Sequence, residues 1–178
     1  MRLPILSLAA AGILLGQAAL AAVSGPACVR PDERAALDVE GLKSQLMVVA
    51  LDCDARSHYN AFVNRYKTAL NTDEKKLGTY FTRAYGRTSH AREDVYNTEL
   101  ANGQSQAGTK QGTLFCGQHM TMFDEVMALR SDSELAEYAA GKELTQPVSA
   151  ETCAAAPERS PIVKVTARRH TGQHAKQH

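Results

Sequence analysis

PDERAALDVEGLKSQLMVVALDC, residues 31–53, is the stretch on which the fold turns. Val39, Leu42, Leu46, Val49 and Cys53 recur at spacings of three and four, which lays one apolar stripe along an α-helix. Pro31 suits the first helical turn, where a missing N–H costs nothing. Asp32 and Glu33 complement the positive end of the helix dipole. The VVAL run at residues 48–51 widens the stripe, so this helix is expected to be the most buried one.

Working outward, Asp54 can cap a second helix carrying Tyr59, Phe62, Tyr66 and Leu70. Asn71 and Glu74 resemble a capping pair, opening a shorter helix through Leu77, Tyr80, Phe81 and Ala84 that Gly86 stops. A polar fourth segment, residues 88–111, carries Ala91, Val95, Thr98 and Ala101, and Gly103, Gly108 and Gly112 weaken its second half. A fifth helix over residues 113–130 aligns Cys116, Met120, Phe123 and Met127, and Ser131 with Glu134 caps a short sixth holding Leu135, Tyr138 and Ala139. The only strand-like piece is residues 162–166. The expected fold is all-α: a compact bundle of about five helices plus a short sixth, braced by two disulfides, with a disordered C-terminal tail.

The chain has 178 residues, 20 basic and 19 acidic, so its bulk charge points to neither nucleic acid nor an anionic membrane. The balance is uneven. Residues 1–21 start with Arg2, continue through an apolar core and end in Ala19-Leu20-Ala21, the layout of a cleaved secretory signal peptide. A membrane anchor or a lipidated Cys28 fits less well: the apolar run is interrupted at Gln17, and Gly25-Pro26-Ala27 is a poor lipidation signal. Residues 28–153 form the expected domain, and residues 154–178 a basic tail with five basic residues against one acid. Export to an oxidising space, most simply a bacterial periplasm, is the expected location, with no membrane span left after cleavage.

Four cysteines in an exported chain predict two disulfides. Pairing Cys28 with Cys53 would cross a helix whose ends lie roughly 30 Å apart, against about 7 Å for bridged Cα atoms. The nested and crossed pairings both survive. Counting five equal up-and-down helices places Cys116 at the Cys28 end and favours the crossed form. Spacings of 25, 63 and 37 with no C-x-x-C pair argue against a zinc-thiolate site.

The stretches LKSQLMVVALDC (residues 42–53), YNAFV (59–63), YFTRAYG (80–86) and Phe115-Cys116 resemble a group of uncharacterised exported helical proteins of proteobacteria. The resemblance covers roughly residues 28–145. It implies a shared fold and a Cys53–Cys116 bridge, hence the nested arrangement with Cys28–Cys153. That group brings no known activity.

Candidate chemistry is thin. His170, His174 and His178 stand four apart, a spacing that stacks three imidazoles on a helix, although Gly172 and the terminal position oppose a helix there. Met120 and Met122 offer soft thioethers for copper but point about 200° apart on a helix. His58 and His119 flank the Cys53 and Cys116 positions and would approach one another if those cysteines are joined. Asp124-Glu125 diverge on a helix, and capping accounts for Asp73-Glu74. Arg168-Arg169 can touch an anionic lipid surface or an acidic partner. Motifs for hydrolases, P-loops, zincins, EF-hands and haem attachment are missing from the sequence. The expectation is a non-enzymatic periplasmic protein without a cofactor that binds a partner protein or small ligand, with Tyr59, Tyr66, Tyr80 and Tyr85 as contact surface. A metal-binding protein using the histidine tail, and a small hydrolase with an unrecognised site, are the alternatives.

Overall fold

The computed structural model describes residues 27–153, apart from 143, 149 and 150. The leader, the tail and His170, His174 and His178 lie outside the described residues. Within them the chain forms seven α-helices: α1 (Pro31–Asp52), α2 (Arg56–Arg65), α3 (Lys67–Tyr85), α4 (Ser89–Gln111), α5 (Leu114–His119), α6 (Thr121–Ala128) and α7 (Asp132–Gly141). A 3₁₀ turn, Gly86–Thr88, joins α3 to α4, and Val29 with Thr152 makes an isolated bridge. Among the described residues no helix is long and apolar enough to cross a membrane.

α1 starts at Pro31 as its sequence dictates, with Glu33 accepting the Arg30 N–H at 2.8 Å. Its stripe of Val39, Leu42, Leu46 and Val49 is buried, and so are Ala36, Leu37, Val48 and Ala50, because neighbours cover it on several sides. α2 and α3 together make the return pass along α1. α2 ends at Tyr66 rather than at Asn71, because Tyr66 donates to the Val126 carbonyl at 2.7 Å and Arg65 donates to that of Leu129. Both anchors satisfy carbonyls at the end of α6 that have no intrahelical partner. Asn71 and Glu74 are therefore interior to α3, and Asp73 pairs with Lys76 at 2.7 Å instead of capping. Asp54, at φ +53, turns the chain between α1 and α2 without a cap bond.

α3 ends at Gly86, whose φ of +56 suits glycine, and α4 runs back alongside α1. The glycines of α4 do not interrupt it. A Cβ at Gly103 would meet Thr145 Cγ2 at 3.1 Å, and one at Gly108 would meet the Phe115 ring at 3.0 Å, so both serve close packing. The expected fifth helix is divided at Met120 into α5 and α6. Phe115 and Cys116 hold the first piece, while Met122, Phe123 and Val126 seat the second in the core. Ser131 caps α7 as expected, accepting the Glu134 N–H at 3.2 Å.

The bridges are nested: Cys28–Cys153 and Cys53–Cys116. Their Cα separations are 4.9 and 5.6 Å, and they pin the two ends of α1. The count favouring the crossed form fails because α2 and α3 are one pass, not two. Three passes, α1, α2–α3 and α4, return Cys116 to the Cys53 end. One core cluster sits there, around Leu46, Phe62, Tyr66, Phe123 and Val126. A second lies at the other end, around Val29, Leu37, Tyr80, Phe81, Tyr96 and Leu100. From Leu144 onward the chain straps back over α1 and α4. Gln146 Nε2 donates to the Leu37 carbonyl at 2.7 Å, Val29 N–H donates to the Glu151 carbonyl, and Cys153 closes the frame.

Candidate functional site

Because α3 and α4 are joined by a three-residue turn, they lie antiparallel, each pressing one face on α1. Their outer rows leave a groove of about 460 Å³. Lys75, Gly78, Thr79, Thr82 and Arg83 line it from α3, and Ser89, His90 and Glu93 from α4. Nothing lies within 4 Å of where a Cβ on Gly78 would be, so this glycine keeps the middle of the groove open. Every other lining residue carries a polar group, which gives the groove hydrogen-bonding capacity along its length.

Arg83 reaches behind the groove. It pairs with Glu33, which is 2% exposed, through Nε at 3.2 Å and through Nη2, and Nη2 also donates to the Cys28 carbonyl at 2.8 Å. This ion pair joins α3 to the start of α1 beside the outer disulfide. Ser89 is buried, and its hydroxyl makes no hydrogen bond to any described residue. Glu93 also faces a small cavity shared with Glu40, Lys43 and Glu74. Burial holds its carboxyl above the usual value, with Glu74, Asp94 and Glu40 adding and His90 opposing. Ser89, His90 and Glu93 are residue types that serve hydrolysis, and Ser89 and His90 share no hydrogen bond. A second, smaller hollow of about 200 Å³ lies on the far side of α4, where Arg92 stacks over Tyr85 at 5.5 Å and Tyr96 donates to Gln146 at 3.2 Å.

The residues singled out by sequence fall elsewhere. His58 packs its ring on Phe123 and His119 on Phe115, with ring centroids 5.5 and 4.7 Å apart. His119 Nε2 also lies 3.1 Å from Gln111 Oε1, and burial followed by Lys142 lowers its pKa. Among the described residues no group of three or more His, Cys, Asp or Glu is placed to hold a metal ion. Met122 is core, and Met120 packs against the same cluster. Glu125 binds Tyr138 at 2.6 Å and Lys142 at 2.8 Å, tying α6 to the end of α7, while Asp124 is exposed. The tyrosine surface needs correction: Tyr80 is 0% and Tyr66 4% exposed, so only Tyr59 and Tyr85 reach the outside. Burial, with Tyr85 beside it, pushes the Tyr80 hydroxyl up to about 12.

Sequence reasoning did not single out Lys75, Ser89 or His90, which line the groove. A signal existed in Gly78, a glycine in mid-helix with no turn to make. No protein family, curated protein or solved structure matches this chain.

Proposed function

We propose that this chain is a non-catalytic periplasmic binding protein, exported through a leader at residues 1–21, whose disulfide-braced helical frame presents the α3–α4 groove to a small polar ligand. The group of exported proteobacterial proteins would be its relatives. Two bridges among the described residues suit an oxidising compartment. The observation that carries the reading is the groove itself: about 460 Å³, lined by polar side chains and held open at Gly78. The groove is open to solvent along one side, and its volume falls in the roughly 300–1,000 Å³ range of small-molecule sites.

The test is a thermal-shift screen of the oxidised full-length protein against small polar metabolites, run beside Gly78→Trp. The indole would fill the groove from a position with nothing within 4 Å. A ligand at about 100 times its Kd stabilises by about 2.7 kcal/mol, several degrees in a domain of this size. The expected result is a compound that shifts the wild type and not the variant. Compounds that shift both equally would refute the groove as the ligand surface.

A further inference from the structure

We propose that the end of this groove nearest the α3–α4 turn is an oxyanion site, taking a carboxylate or phosphate group of the ligand. This rests on the reading of the groove as the ligand surface and names the chemistry it recognises. The short turn sets Thr82 and Arg83, near the end of α3, against Ser89 and His90 at the start of α4, and all four line the groove. Their side chains offer hydroxyl, guanidinium and imidazole hydrogens; of the carboxylates that act on them, Glu33 lies behind Arg83 in the core and Glu93 lines the groove one turn beyond His90.

Two of these donors lack a partner. Ser89 is 8% exposed, lines the groove and makes no hydrogen bond within the described residues. Arg83 commits Nε and Nη2 to Glu33 and the Cys28 carbonyl, which leaves Nη1 unengaged among the described residues. The Ser89 hydroxyl opens to the groove rather than being sealed in the core, and an anionic oxygen there would accept its hydrogen.

α4 is 23 residues long, and its first turn carries no acidic residue. Thr88, just before it, turns its hydroxyl to the Tyr85 carbonyl at 3.0 Å instead of capping the helix. No side chain counters the positive end of the α4 dipole, but the carbonyl end of antiparallel α3 lies at the same turn and offsets part of its field, so the side-chain donors carry the recognition. Lys75, further along the groove, makes no ion pair and adds positive charge. Glu93, one turn beyond His90, sets the other end of the ligand, where a hydroxyl or ammonium would meet its carboxylate.

Inorganic phosphate and acetate, titrated separately into the ¹⁵N-labelled oxidised full-length protein at constant ionic strength, test the site. The expected result is saturable amide shifts centred on Ser89 and His90 with at least one of the two anions. Ser89→Ala should weaken binding about fivefold and His90→Ala by a similar factor, with far-UV circular dichroism and melting unchanged. The anion that binds tells a phosphate site from a carboxylate site. Shifts that follow ionic strength alone, or equal binding by wild type and both variants, would overturn the oxyanion assignment. A screened compound that loses its effect in Gly78→Trp but is displaced by neither anion would also overturn it while leaving the groove reading intact. Anion shifts centred away from α3 and α4 would sink both.

Discussion

Gly41 and Gly78 receive the same substitution and should respond with opposite signs. A Cβ at Gly41 would lie 2.5 Å from Gln146 Nε2, closer than nonbonded atoms approach, so the Gln146 side chain must leave its seat. It would then lose its bond to the Leu37 carbonyl at 2.7 Å, and the Tyr96 hydroxyl would lose its acceptor at 3.2 Å. Two such bonds contribute about 1 kcal/mol each, and the hydroxyl of Tyr96, itself 3% exposed, adds a desolvation cost of about 1–2 kcal/mol. Alanine in mid-helix returns about 1 kcal/mol of propensity. The net expectation for Gly41→Ala is a loss of about 2–3 kcal/mol.

Gly78→Ala meets nothing within 4 Å and should gain about 0.5–1 kcal/mol. Urea unfolding of the oxidised proteins, followed by circular dichroism, reads both. A double-mutant cycle sharpens the comparison: in a Gln146→Ala background the obstacle is absent, so Gly41→Ala should become stabilising by about 1 kcal/mol. If both alanines stabilise equally in the native background, the strap is not seated on α1 and the reasoning fails.

The remaining expectations follow the covalent frame, the buried charge and the acidic cavity. Replacing Cys53 and Cys116 by serine should cost about 2–5 kcal/mol, chiefly by freeing a loop with a sequence separation of 63, and replacing Cys28 and Cys153 should cost a similar amount through a separation of 125. Denaturation with and without reductant checks both, and an unchanged midpoint would refute the bracing role. Arg83→Met leaves Glu33 charged and buried without its partner and should cost about 3–5 kcal/mol in the same assay. A loss below about 1 kcal/mol would mean that Glu33 finds water. Glu93 has a carboxyl raised in the fold above 4.5, so its favourable contribution is complete below pH 4.5 and is lost as pH rises through the raised value. Glu93→Gln should therefore match the wild type in acid and gain on it towards neutrality; a urea-midpoint difference that stays constant with pH would contradict this.

What could be read from the chain, and what could not, divides by distance along it. The α1 stripe, the Pro31 start, the Gly86 stop and the Ser131 cap all lie within a few residues of their partners, and local rules located them. α4 was harder. Its buried face is Tyr96, Leu100, Gln104 and Gly108, whereas Ala91, Val95 and Thr98 are exposed. Gln104 belongs in the core only because its Nε2 donates to the Gly41 carbonyl, 63 positions away, and Gly108 only because Phe115 lies on it. Gln146 meets Leu37 across 109 positions. No hydropathy period reveals such partners. The tyrosines misled for the same reason: Tyr66 reads as surface until Val126 supplies its acceptor. The candidate groove is a property of two helices set side by side, so it could not appear in either helix alone.

Glycine placement links the frame to the groove. Gly41, Gly103 and Gly108 each sit where another segment approaches, and Gly86 and Gly112 end helices at positive φ. Gly117 and Gly141 have free space around them, but one lies in the six-residue α5 and the other is the last residue of α7, where little helix is at stake. Gly78 lies deep inside a 19-residue helix with neither a neighbour to admit nor a turn to make. There it lowers helix stability by about 0.5–1 kcal/mol relative to alanine. Packing offers no reason for that cost, and backbone geometry offers none. Open space between Lys75 and Ser89 is what the missing side chain leaves behind. Gly78→Ala should thus gain stability while narrowing the groove, and Gly78→Trp should keep the fold while closing it. If both variants kept full ligand response, the space at Gly78 would serve no recognition, and the groove would be only the seam between two helices.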